Sequence, residues 1–292
     1  MSLVSDYKKC FSRVYGPFFT KDYHFVDVYS FDSSVLSPEV YKEWANHFRN
    51  QYERDDLIDD DRDGPGLSRE EYLLQMVFPD KNDKLGRATR TGDFAEIMVA
   101  DFLEYVEKYW VPRIRYDDKR NRNCSPQGSD VVAIKYVDSI NYQENPDDVL
   151  RVVEVKAQFS TRAMPQNRLQ DAIDSSKNDN VDGSEDEAEE KNKKDVLRTA
   201  HSLNSMVRKL NRENRKIEAN RIKRFQNKPD HPYENIVGVA ACFDNVVFDC
   251  QKIRETECCS HPNAENLNML IFSGENMMNL VHALYESAAH EA

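Results

Sequence analysis

Residues 149 to 159, VLRVVEVKAQF, are a run of β-favouring residues that carries a carboxylate and an ammonium two positions apart. Side chains alternate along a strand, so Glu154 and Lys156 must share one face. On a buried face, charges without partners are costly. The run therefore demands either an exposed edge, where the two pair with each other, or a site that supplies counter-charges. The acid-x-lysine triplet alone decides nothing. It recurs at Asp6-Tyr7-Lys8, Asp117-Asp118-Lys119 and Glu189-Glu190-Lys191. Those copies sit in polar or ambiguous surroundings, and only the copy at 154–156 lies in an apolar strand.

The neighbouring segments add acids. DVVAIKYVD (130–138) reads as a second strand and NPDD (145–148) as a turn signal. The two strands then form an antiparallel hairpin with a loop of about ten residues. Asp130, after Gly128 and Ser129, opens the first strand and comes near Glu154 if the strands pair in register. Upstream, RTGDFAEIMVADFLEYVEKYW (90–110) carries Phe94, Met98, Phe102, Val106 and Trp110 at helical spacing. Thr91 or Asp93 is its expected N-cap. Glu96 falls at the edge of the apolar arc, where a carboxylate can look along the sheet; Asp93 is the competing acid, and a solvated Glu96 is the plainer reading.

Elsewhere, 22–31 alternates like a strand and 38–53 reads as an amphipathic helix. Segments 235–243 and 267–274 read as buried strands, and 274–289 as a closing helix. Strands and helices interleave from residue 90 onward. That pattern predicts an α/β fold, a mixed central sheet flanked by helices. The expected organisation is an N-terminal α+β portion over 1–89, packed on a main domain over 90–292. Within that domain, 171–195 is acid-rich and poor in apolar residues, and is expected to be a mobile insertion with no core contribution.

The formal net charge is −12. This argues against wholesale coating of a nucleic acid but leaves room for a local basic groove, because counterion release depends on the cations that touch phosphate. The helix expected over 195–225 offers Arg208, Lys209, Arg212, Arg215 and Lys216 for such a groove; a solvated face or a docking surface are its other readings. The six cysteines form no CxxC pair, and Cys258-Cys259 with His261 lacks standard zinc spacing. No charged-then-apolar leader and no run of about 18 apolar residues appears, so a cytoplasmic protein with reduced thiols and no membrane association is expected. Scattered histidines, with no nucleophile elbow, Walker loop or dinucleotide fingerprint, argue against nucleophilic catalysis and ATP use. No small-molecule cofactor beyond a metal is expected.

Glu96, Asp130 and Glu154 are the residue types that phosphodiester hydrolysis needs. A divalent metal neutralises developing charge and lowers the pKa of an attacking water. Magnesium or manganese takes hard oxygens, here from the three acids and the Val155 carbonyl. Lys156 can polarise the water and stabilise charge, and Gln158, two further along the face, can hydrogen-bond nearby.

These elements resemble the PD-(D/E)xK nuclease superfamily: Glu96 on an early helix, Asp130 at the head of a hairpin strand, and Glu154-Val155-Lys156 on the next. Ser129 stands where the family's literal proline would be. More narrowly, the TGDFAE helix start, the GSD strand, the EVK strand and the C-terminal strand-helix pair are similar to the HamA effector nucleases of Hachiman anti-phage defence. The resemblance implies a restriction-endonuclease-like core, cleavage of DNA with Mg2+ or Mn2+, and a partner helicase that restrains the nuclease. The competing readings are a catalytically silent nuclease-like scaffold that binds nucleic acid and a protein-interaction subunit.

Overall fold

The computed structural model describes residues 6–116, 119, 121–177 and 193–292, the stretch 193–197 by its backbone only. Six strands form one sheet: β1 (Phe11–Val14), β2 (Asp27–Phe31), β3 (Val131–Lys135), β4 (Val149–Gln158), β5 (Glu234–Asp244) and β6 (Asn268–Gly274). Their order is β1-β2-β6-β5-β4-β3. Strands β4, β5, β6 and β2 run parallel, while β1 and β3 pair antiparallel at the two edges. The class is therefore α/β with a mixed sheet, as the alternation of segments predicted. The parallel strands are covered on both faces, which is why β5 and β6 read as nearly continuous apolar runs.

Six longer helices cover the sheet: α1 (Pro38–Arg49), α2 (Lys84–Asp101), α3 (Arg168–Ser176), α4 (Lys193–Arg212), α5 (Lys216–Lys223) and α6 (Met277–His290). Helix α1 starts on a Ser37 hydroxyl that accepts the Val40 N–H, with Pro38 in its first turn. On one face, Trp44, Phe48, Phe94, Met98 and Leu284 pack over Val131, Val153, Val155, Cys242 and Phe272. On the other, Leu169, Ala172 and Ile173 of α3 cover Val237, Val239 and Ile271. Beside them, Leu203, Val207, Leu210 and Ile222 of α4 and α5 cover Val132, Ile134, Leu150 and Val152. Each fully buried aliphatic side chain contributes about 1.5–3 kcal/mol of hydrophobic stabilisation. The first 89 residues thus place β1, β2 and α1 in the same sheet and core as the rest.

Three expectations change. The helix expected over 90–110 begins earlier, at Lys84, and closes in a π turn over Phe102–Val106. Asp93 is then interior and caps nothing: it is fully buried and accepts the Tyr52 hydroxyl at 2.6 Å. Trp110 lies past the helix, in an extended stretch bridged to Ile134. Second, the acid-rich 171–195 segment is not without core residues, because α3 runs to Ser176 with Ala172 and Ile173 buried; residues 178–192 lie outside the described residues. Third, the basic helix is two helices. Asn214 adopts a left-handed φ of 60° between α4 and α5, which breaks the ladder there.

Candidate active site

Strand β3 begins only at Val131, opposite Val153, while β4 runs on to Gln158. Past Val153, β4 has no β3 partner along its outer edge. Asp130 fills the gap: its Oδ2 accepts the backbone N–H of Val155 at 2.9 Å. The N–H and C=O of one strand residue point to the same side, so the Val155 carbonyl faces this open edge too. Glu154 and Lys156 lie on the α4 side of the sheet, in phase with Leu150 and Val152. The Lys156 ammonium meets Glu154 Oε1.

Two arginines complete the cluster. Arg115 donates from Nε to Glu96 Oε2 at 2.8 Å and from Nη2 to Asp130 Oδ1 at 3.0 Å, and also reaches the Ser129 carbonyl. The Tyr116 hydroxyl donates to the same Glu96 oxygen at 2.5 Å. Arg198, on α4, lies 3.1 Å from Glu154 Oε2 and 3.8 Å from Asp130 Oδ1, and donates to the Gly128 carbonyl at 2.8 Å. A glycine is needed at 128. Its φ is +106°, and a Cβ there would lie 2.7 Å from Ser202 Oγ. That close approach lets Ser202 accept the Ser129 N–H at 2.9 Å, which ties the Asp130 loop to α4 and brings Arg198 to the acids.

The electrostatics are those of crowded carboxylates. The Asp130 acid is held well above the usual carboxylate range by burial, then by Glu96 and Glu154, with Arg115 opposing. Burial also raises Glu96, with Arg115 opposing and Asp93 adding to the rise. Asp93 is raised by burial against the opposing pull of Lys119. Glu154 Oε2 is buried and makes no hydrogen bond, since Arg198 is close to it but off-line.

Asp130, Glu154 and the Val155 carbonyl are hard oxygen donors at one edge, a set that suits Mg2+ or Mn2+. Glu154 Oε2 accepts no hydrogen bond although Arg198 lies 3.1 Å away, and burial and crowding favour a proton on Asp130 that a bound cation would replace. Glu96 stands apart from this set, with Arg115 between it and Asp130. Among the described residues, the only His, Cys, Asp or Glu trio with ligand atoms mutually within 4.8 Å is Asp22, His24 and Cys258. There Asp22 takes the Cys258 and Cys259 N–H groups and the Thr20 hydroxyl, which makes it a loop tie.

The other expected residues divide. Gln158 is buried, and its amide clamps the following loop through the Met164 carbonyl and the Gln166 N–H, at 3.0 and 2.9 Å, so it does not hydrogen-bond at the acids. Arg208, Lys209 and Arg212 line a cleft that shares Arg115 and Ser129 with the acid cluster. Burial pushes the Lys209 amine down to about 8. Arg215 instead pairs with Glu213 and Glu218, and Lys216 is outside the cleft lining. Sequence reasoning missed Arg115, Tyr116 and the aim of Arg198. The basic run around 113–122 was visible, but nothing local says which acids it meets.

The architecture is that of an α/β protein, a mixed sheet flanked by helices, which is consistent with a nuclease-like core. The chain belongs to the HamA family, whose model matches residues 8–288 and so takes in all six strands. No curated protein matches the chain. No described helix is long and apolar enough to cross a membrane.

Proposed function

We propose that this chain hydrolyses DNA phosphodiester bonds with bound Mg2+ or Mn2+, as the effector of a Hachiman anti-phage system restrained by a partner helicase. One observation carries the hydrolase reading: Asp130, Glu154, the Val155 carbonyl and Lys156 converge at the open edge of β4. The resemblance to PD-(D/E)xK nucleases and membership of the HamA family support DNA as substrate, the defence role and the helicase.

Asp130, Glu154 and the Val155 carbonyl would hold the ion. A divalent metal bound there supplies charge neutralisation at the phosphate and acidifies a water. Lys156, beside Glu154, would orient the attacking water and place a cation near the charge that develops. Glu96 fixes Arg115, and through it the position of Asp130. Arg208, Lys209 and Arg212 offer the adjoining cleft to the phosphate backbone.

The test is incubation of the purified chain with linear, circular and single-stranded DNA and with RNA, with and without Mg2+, beside Glu154→Ala and Lys156→Ala. Cleavage that requires metal and disappears in both variants, with folding retained, is the expected result. Undiminished cleavage in both variants sinks the assignment. A folded chain that binds DNA and cuts nothing would be a silent scaffold, the reading favoured by the Arg115 bridge between Glu96 and Asp130.

A further inference from the structure

We infer that Arg115 and Arg198 are the groups that grip the phosphate to be cut, and that without metal they stand in for the cation among the acids. This inference rests on the nuclease reading. Every acid of the cluster touches one of the two guanidiniums, and Asp130 touches both: Arg115 joins Glu96 to Asp130, and Arg198 joins Glu154 to Asp130.

The detail lies in which oxygens they hold. Asp130 Oδ2 already accepts the Val155 N–H. Its Oδ1 is what remains for a metal, and that is the atom both arginines face. Glu154 Oε1 meets Lys156, so Oε2 is its remaining donor, and Arg198 faces that one. A divalent ion and the arginines therefore contest the same two oxygens. A guanidinium stays charged throughout and cannot give way by losing a proton, so it must move. It fits phosphate with the same fork that fits carboxylate. Displacement by the ion turns it toward the open cavity lined by Thr91, Gly92, Gln127 and Lys156, where a phosphate enters.

Arg198 is the one that moves. Its side chain is 27% exposed against 14% for Arg115, and, while it donates to the Gly128 carbonyl, its approach to Glu154 Oε2 lies outside hydrogen-bond geometry. Arg115 is held by Glu96 and the Ser129 carbonyl. Arg198 thus changes partner from carboxylate to phosphate, while Arg115, so held, gives up only its Nη2 contact with Asp130 Oδ1.

The experiment compares wild type, Arg198→Ala and Arg198→Lys by Mn2+ titration calorimetry without nucleic acid, by DNA cleavage at saturating Mg2+, and by thermal melting. Arg198→Ala should bind Mn2+ about tenfold tighter, because a like charge beside the ion is gone. Its kcat should fall on the order of 100-fold or more, because a phosphate ligand is gone. Arg198→Lys should recover part of both. Unchanged or weaker Mn2+ affinity, or retained kcat, overturns the role while leaving wild-type nuclease activity standing. A wild type that neither binds Mn2+ nor cleaves removes the nuclease reading and this role together. Should Arg198→Ala fail to fold, Arg198→Lys decides alone: affinity and kcat both at wild-type values overturn the role.

Discussion

The Asp130 carboxylate accepts the Val155 backbone N–H at 2.9 Å, so one oxygen finishes the sheet and the other belongs to the site. The two jobs separate chemically. Asp130→Asn keeps a carbonyl oxygen for the amide but removes the charge. It should melt close to wild type and lose cleavage on the order of 100-fold. Asp130→Ala orphans the buried amide as well and should destabilise the fold by about 1–3 kcal/mol. Equal melting temperatures for the two variants would show that the amide bond does not matter.

The cleft beside the acids is expected to read phosphates. Arg208→Ala and Arg212→Ala should each weaken DNA binding and lower the salt-dependence slope by about one unit. Lys216→Ala, outside the cleft lining, should leave the slope alone. A slope that Lys216→Ala shifts and Arg212→Ala does not would move the DNA path elsewhere.

Helix α3 is a packing element despite its acidic neighbours. Ile173 is wholly buried between α3 and the sheet. Ile173→Ala should therefore cost about 2–5 kcal/mol in urea unfolding. A loss below roughly 0.5 kcal/mol, the usual range for surface changes, would mean that α3 does not pack as described.

Glu53 supplies a pH signature of its own, apart from Asp130 and Glu154. Burial, followed by the nearby Asp61, raises its carboxyl to about 7. The folded chain thus holds that proton more tightly than the unfolded chain, for which the carboxyl keeps its ordinary value. The stabilising contribution is complete below pH ~4.5 and is lost as pH rises through about 7. Glu53→Gln removes that loss. Melts at pH 5, 6, 7 and 8 should show the variant gaining on wild type as pH rises, and a constant difference would refute the shift.

What the sequence disclosed depended on how local the interaction was. Glu154 and Lys156 were legible because strand alternation fixes their face, and Asp130 because a hairpin is a local structure. Alternation of segments was enough for the α/β class. Asp93 resembled a cap since caps are judged from near neighbours, while its true partners, Tyr52 and Lys119, lie elsewhere in the chain. Leu169, Ala172 and Ile173 do carry helical spacing, but averaging over the whole acidic segment concealed it. Arg115 and Arg198 were out of reach because their partners come from α2, β4 and the Asp130 loop, which only the folded chain assembles.

Strand β2 takes β6 as its parallel partner, so a strand near the chain's beginning waits for one made near its end. Translation at about 5–20 residues per second makes that wait on the order of ten seconds or more. Strand β4, with its acids, likewise waits for β5 before its parallel side is closed. The acid-bearing edge is therefore a late product of synthesis. A ribosome-bound fragment carries Asp130 and Glu154 before β5 and β6 exist to complete the sheet that aims them.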